Sequence, residues 1–591
     1  MVEHVTKLLV LFNIVIKRIL TDKHFAAASP HLCGAAGTTA RVFLPVSLPF
    51  SLFCSRRWAV GLFFGLLAVL GVALCRDYGM SWDEPADRLN AYVSAKYVAL
   101  RLAPALAQRQ PRLAEIPALA HYPDADHGVL FMLPLVALEA LWPGANPAEW
   151  AYRRHLLEFW LFGAGAWAVY QLGRARLVSW RWGLAGAAIL VLSPRLFAEA
   201  FYNYKDVVFL SLFALAMLTL ARLLRRPTAG RALLHALACA AAIDVRSMGV
   251  LLPLLTLGFG GLEMMYRPAR RRGLAGALAL YGPALAVFVV LGWPYLWDNP
   301  LGNFGAALRS FGHYAKLMDV FYLGRFVSIQ ALPWHYAPLW LLITTPLPYV
   351  VLFAMGLLAV GRAVGQAGPR RWLHNTAARR DLLVLAWFFG PLLGVMALHP
   401  ALYDGWRHLY FVYPAFVLLA AQGGQAGWRA WQRGRGGAGR STAGTITVGL
   451  LLAVLALGTA RVVWRMVAEH PFQYVYFSVL PGPVIEQNFE RDYWGLSVRP
   501  GLEWILAHDP RPQLTVAMDE RTALPLLINL KMLSPPARAR LRIVPPAEAD
   551  YFLSIYRWHP GPYPASAGRP VHTIRVGGAA ILTVLRRGFN E

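Results

Sequence analysis

Long apolar runs separated by short arginine clusters constrain this sequence more than any other feature. The runs are Trp58–Cys75, His155–Gly173, Trp182–Leu196, Val207–Leu224, Ala232–Leu262, Leu274–Trp293, Tyr336–Val360, Leu382–Leu398, His408–Gln422 and Thr445–Trp464. Most approach the roughly 20 residues that a helix needs to cross the hydrocarbon core. Backbone in lipid must satisfy its own hydrogen bonds, so such runs read as spanning helices. Composition agrees: 57% of the 591 residues are hydrophobic, 15% are charged, and the mean hydropathy is +0.44. A soluble chain of this size needs a more polar skin.

The net charge of +26 invites a nucleic-acid partner. The arginines do not form a continuous face, however, but sit between the apolar runs. That placement suits anionic lipid headgroups and topology signals, and it argues against nucleic acid. Cys33, Cys54, Cys75 and Cys239 contain no C-x-x-C pair, so neither a disulfide framework nor a zinc site is expected. Abundant Ala, Gly and Arg point to a GC-rich bacterial genome, and hence to an inner membrane.

Two segments are ambiguous. Gly128–Trp142 is short for a span, and Ala232–Leu262 is too long for one and carries Asp244 and Arg246 in its middle. The arginine bias resolves both. With Gly128–Trp142 lying on the outer surface and Ala232–Leu262 split at Asp244–Arg246, every large arginine cluster falls on the same side. The result is an all-α polytopic protein of about eleven spans, with the N-terminus cytoplasmic. Its divisions are an N-terminal extension over 1–57, interfacial or following a mis-assigned start, a membrane domain over 58–464 with a first outer loop at 76–154, and an extracytoplasmic domain over 465–591. In that last domain Arg499–His508 and Thr522–Asn529 read as helices. Leu514–Ala517, Leu541–Val544, Tyr551–Tyr556, Val571–Val576 and Ala580–Leu585 read as strands, giving a small α/β or α+β fold.

The acids concentrate on the outer side. Asp83 and Glu84 follow the first span; such a pair either caps the helix Ala86–Leu106 or supplies a general base or metal ligand at the membrane surface. Asn203-Tyr204-Lys205-Asp206 opens the fourth span, where Asp206 is either an N-cap or a second functional acid. Asp244 and Arg246 interrupt an apolar stretch, as a structural salt bridge or as a functional pair whose arginine can bind a lipid-linked phosphate. Pro333-Trp334-His335-Tyr336 and Tyr403-Asp404-Gly405-Trp406-Arg407-His408 lie at the outer ends of later spans.

This ordered set resembles the GT-C superfamily of membrane glycosyltransferases, in particular the branch with protein O-mannosyltransferases and the lipid A aminoarabinose transferase. The resemblance rests on Asp83-Glu84, the surface helix at His127–Trp142, Lys205-Asp206, Arg246 in the split hairpin and Arg407-His408, and it covers roughly Trp58–Trp464. It implies transfer of a sugar from a polyprenyl-phosphate donor to a glycan, lipid or protein acceptor outside the cytoplasm. Asp83 would then be the base, with Glu84 orienting it or joining a metal site and Asp206 positioning the acceptor or carrier, and Lys205, Arg246 and Arg407 would hold the donor phosphate. His127, Asn203, His335, Tyr336 and His408 would line the substrate site. A divalent metal is left open, with Asp83 and Glu84 as its ligands if one binds. The tail lacks the look of the β-trefoil found in protein mannosyltransferases, which weakens the case for a protein acceptor. The competing reading is a transporter or flippase of lipid-linked sugars. Against it, the acids sit at helix ends and no internal repeat is evident.

Overall fold

The computed structural model describes residues 56–587 apart from 109–110, 143, 145, 313–317 and 436–441. The expected extension over 1–57, with Cys33 and Cys54, lies outside the described residues except for Arg56 and Arg57. The helices that frame the bundle are α1 (Arg56–Leu74), α2 (Asp83–Leu102), α3 (Met132–Leu141), α4 (Pro147–Leu177), α5 (Trp180–Val191), α6 (Phe209–Arg225) and α7 (Ala229–Ile243). They continue with α8 (Leu251–Tyr266), α9 (Arg271–Gly292), α10 (Leu347–Ala367), α11 (Thr376–Leu398), α12 (Tyr413–Arg435) and α13 (Thr442–Ala468). Among the described residues, 7 helices are long and apolar enough to cross a membrane: Arg56–Leu74, Tyr204–Arg225, Ser247–Tyr266, Pro268–Gly292, Leu347–Ala367, Thr376–Leu398 and Ala443–Ala468. The chain is a multi-pass membrane protein. It divides at Leu70–Gly71 into two units, and the second, Gly71–Glu591, contains α2 to α13 and the whole tail.

Local chemistry explains the helix boundaries. Asn146 caps α4 by accepting from the Glu149 amide, and Pro147 occupies the first turn, where its missing N–H costs nothing. The run Ala232–Leu262 forms two helices, α7 and α8, which part at Asp244–Ser247. Gly128 allows the loop before α3 to press onto that break, because a Cβ there would collide with the Asp244 carbonyl. Leu130 N–H donates to the same carbonyl at 3.3 Å. The run Tyr336–Val360, expected as one span, is instead a short helix Tyr336–Thr344 followed by α10. Pro346 breaks it, having no N–H to donate and forcing Thr345 into an extended conformation. The segment Gly128–Trp142 contains only the 10-residue α3, too short to span.

The two ends of the bundle differ in charge. At one end Arg380 Nη1 donates to the Ala175 carbonyl at 3.2 Å, Arg270 Nη1 to the Arg225 carbonyl at 2.7 Å, and Arg379 Nε to Glu263 Oε1 at 2.7 Å. This gathers the arginine-rich ends of α4, α6, α8 and α11. At the other end lie the starts of α2, α6 and α12, the end of α7, and most of the clustered acids.

Between the apolar runs ending at Trp293 and starting at Tyr336 lies an antiparallel hairpin, β1 (Asp319–Tyr322) and β2 (Arg325–Ser328), turned by Leu323 and Gly324 at positive φ. The tail builds the expected strands as β3 (Leu514–Met518), β4 (Leu541–Ile543), β5 (Tyr551–Ser554), β6 (Arg569–Val576) and β7 (Ala579–Arg586). They form one mixed sheet in the order β4-β3-β5-β7-β6, with β3 parallel to both β4 and β5 and the remaining pairs antiparallel. Val498–His508 and Ala523–Leu530 pack on it through Leu502, Ile505 and Leu526, so the tail has its own apolar core.

Candidate active site

Asp83 opens α2, and its carboxylate faces Arg407, with Nη1 3.1 Å from Oδ2. The same guanidinium stands 3.4 Å from Asp206 Oδ2 and 3.1 Å from Asp404 Oδ2. Arg407 precedes α12 in a tight helical turn, Arg407–Val412, and lies between the rings of Tyr403 and Trp494. Asp206 sits in one turn of π-helix, Tyr204–Val208, at the start of α6. Such bulges recur at functional sites because they re-aim side chains. The cap of this turn is Asn203, whose side chain accepts from the Asp206 amide at 3.1 Å. The Asp206 carboxylate is thereby left for Arg407 and for Arg246, whose Nη2 lies 2.7 Å from Oδ1.

Arg246 therefore does not pair with Asp244. The two side chains leave the turn in different directions, Arg246 from extended backbone and Asp244 from the helix end. Asp244 is fully buried, and burial pushes its carboxyl well above the usual range. Lys205 turns to Asp87, one helical turn beyond Asp83, at 2.8 Å.

Glu84 points away from Asp83. Its Oε2 accepts from the Ser81 amide at 2.6 Å, and its Oε1 lies 2.9 Å from His155 Nε2. With both oxygens committed and the residue fully buried, Glu84 does not share a ligand set with Asp83. The Asp83 carboxylate is engaged instead by Arg407. Among the described residues no group of three His, Cys, Asp or Glu is placed to hold a metal.

His408 is buried beside Tyr403, with ring centroids 4.6 Å apart. Tyr336 accepts from the Gly405 amide at 3.1 Å, next to Asp404. His335 is one shell further out, its Nδ1 2.7 Å from the Tyr322 hydroxyl of the hairpin. His127 pairs with its neighbour Asp126 at 3.2 Å.

Several participants do not stand out in the sequence. Arg154, at the start of α4, binds Glu158 at 2.6 Å and lies 3.7 Å from Asp87. Their signal is a pair of ionisable residues at i and i+4 entering an apolar run. Glu199 is buried, accepting from Tyr410 at 2.7 Å, Asn203 at 2.7 Å and Tyr493 at 3.1 Å. Arg557, between β5 and β6, donates to Asp404 Oδ1 at 2.6 Å. With Trp494 over Arg407, it makes the tail part of this wall.

No protein-family model and no curated protein matches the chain. Among solved structures it is similar to the archaeal oligosaccharyltransferase AglB from Archaeoglobus fulgidus, at 10% identity over 82% of this chain and 64% of that one, with TM-score 0.44. It is similar to ArnT from Cupriavidus metallidurans, at 14% identity over 83% of this chain and 86% of that one, with TM-score 0.44. It is also similar to the arabinofuranosyltransferase AftD from Mycobacteria, at 17% identity over 78% of this chain and 31% of that one, with TM-score 0.36. The chain thus spans less than two thirds of AglB and about a third of AftD. TM-scores this low carry no argument about activity, which has to come from the residues themselves.

Proposed function

We propose that this chain is a membrane glycosyltransferase that moves a sugar from a polyprenyl-phosphate carrier to an acceptor at the extracytoplasmic face. One observation carries the reading. Within a single charged cluster the Asp83 side chain is 34% exposed, whereas Asp206, Asp87 and Asp404 are 1%, 2% and 6% exposed. The reachable carboxylate therefore faces fixed cations, which is what acid–base chemistry beside a phosphate requires.

The steps follow from those positions. The prenyl chain stays in the bilayer, and the carrier phosphate meets Arg407, Arg246 and Lys205. An acceptor hydroxyl attacks the anomeric carbon from the face opposite the phosphate, forming the new C–O bond with inversion. Asp83 takes the hydroxyl proton. The bond between sugar and phosphate oxygen breaks, and the electron pair leaves on the phosphate, where the guanidinium groups stabilise it. Asp206 and Asp404 hold the arginines in place, Asn203 and Tyr336 brace Asp206 and the Asp404 turn from buried positions, and His408, His335 and His127 are the remaining candidates to touch substrate.

Asp83 is a weak base while Arg407 holds it. Burial alone would raise its pKa, but Arg407, Lys205 and Arg557 outweigh that and hold it down to about 2. A phosphate that competes for Arg407 weakens this grip and raises the basicity of Asp83 when donor is bound. The arginine-rich end of the bundle belongs on the cytoplasmic side by the charge bias of membrane loops, which turns the acidic cluster outward.

Purified protein, given a panel of radiolabelled polyprenyl-phosphate sugars, should release polyprenyl phosphate and label an acceptor. Translocation of intact donor across vesicles without cleavage would favour the transporter reading instead.

A further inference from the structure

The stretch from Asp206 to Arg222 rises roughly 24 Å at about 1.5 Å per residue, close to the thickness of the hydrocarbon core. At its far end a cavity of about 130 Å³ opens between α4, α6, α11 and α12. Five arginines line it: Arg174 and Arg176 from α4, Arg222 and Arg225 from α6, and Arg380 from α11. Asp381 is the lining carboxylate, and Arg176 takes both of its oxygens in a fork. No carboxylate among the described residues pairs with the other four guanidiniums. Arg380 donates to the Ala175 carbonyl, and Arg222 and Arg174 lie over the rings of Trp167 and Tyr170.

Four like charges around one partly enclosed space repel each other unless an anion joins them. Guanidinium forks from several helices match the oxygens of a phosphate, and basic pockets between spanning helices take phosphate-bearing headgroups. We infer that this cavity is a second, non-catalytic anion site that binds a phosphate group, supplied by a membrane lipid headgroup or by a soluble phosphate-bearing anion such as inorganic pyrophosphate. It is independent of the glycosyltransferase reading, since none of its residues belongs to the Asp83 cluster.

The test uses the full chain purified in detergent, with thermal unfolding followed by tryptophan fluorescence. Phosphatidylglycerol, phosphatidylcholine and inorganic pyrophosphate are titrated separately. Stabilisation by phosphatidylglycerol but not phosphatidylcholine is expected for a lipid source, and stabilisation by pyrophosphate for a soluble one; either supports the site. Arg222→Gln/Arg380→Gln is expected to need about tenfold more anion for the same shift, the loss of roughly 1.4 kcal/mol. Arg370→Gln/Arg371→Gln removes the same charge from exposed positions at that end and is expected to keep the parental midpoint. If the first pair destabilises the fold, Arg225→Gln alone, at an exposed position, replaces it, with a weaker anion response again expected. An equal loss of anion response in the Arg370/Arg371 variant would reduce the effect to diffuse charge and overturn the site. So would a parent that none of the anions stabilises.

Discussion

Arg407 Nη1 stands 3.1 Å from Asp83 Oδ2, although 324 positions separate the two residues. This contact keeps the reachable carboxylate ionised and quiet. The Asp83 pKa falls from its ordinary 3.8 to about 2, so the pairing contributes fully above 3.8 and is lost as pH falls through about 2. Donor phosphate that draws Arg407 away moves the carboxyl back up. The acid limb of kcat, which reports the bound complex, should therefore lie at higher pH than that of kcat/KM, which reports the free enzyme. Coincident limbs would rule out competition between phosphate and Asp83 for Arg407.

Asp83→Asn keeps the size of the side chain but cannot take a proton. Turnover should fall about 100-fold or more, with donor binding at or above the parental value because Arg407 is freed for the phosphate. Near-parental turnover would move the base elsewhere, with Asp206 the next carboxylate in line.

Arg246→Ala should weaken donor binding about tenfold or more, the scale of a lost charge-assisted contact, and Arg246→Lys should recover part of it. Because Arg246 also holds Asp206, thermal stability is measured alongside. A fall in stability with unchanged donor affinity would leave Arg246 as a clamp on Asp206 alone.

Arg557→Ala removes one of two guanidiniums around the buried Asp404. Breaking a buried pair typically costs about 3–5 kcal/mol, and the remaining Arg407 contact should hold the loss toward the lower end. Arg557→Lys should restore much of the stability. Because Asp404 then pulls harder on Arg407, kcat should fall more than KM rises in Arg557→Ala. Unaltered kinetics would confine the tail's role to packing.

A chelator should leave turnover unchanged, because Glu84 is committed to Ser81 and His155 and cannot join Asp83 around an ion. Loss of turnover on chelation, restored by a divalent cation, would refute this and require Glu84 to reorient.

The break at Asp244–Arg246 was legible because an ionic pair in an apolar run of that length is costly unless the helix turns. The strands of the tail were legible from their alternation and their flanking turn residues. The hairpin at Asp319–Ser328 was not, being two 4-residue strands within a long mixed loop. Nor were Glu199 and His155, which look in sequence like isolated polar residues at the edges of apolar runs. Their importance comes from partners up to 294 positions away.

By itself the sequence determined that this chain lies in a membrane, that the run Ala232–Leu262 turns at its middle, and which acids and cations cluster near helix ends, because hydropathy and charge bias are local properties summed along the chain. Only the tertiary structure decided who pairs with whom. It sent Arg246 to Asp206 rather than Asp244, split Asp83 from its neighbour Glu84, and brought Arg557 of the tail onto Asp404. Those choices depend on the directions in which side chains leave their helices, and on which carboxylates burial leaves without water, and neither is written in the order of residues.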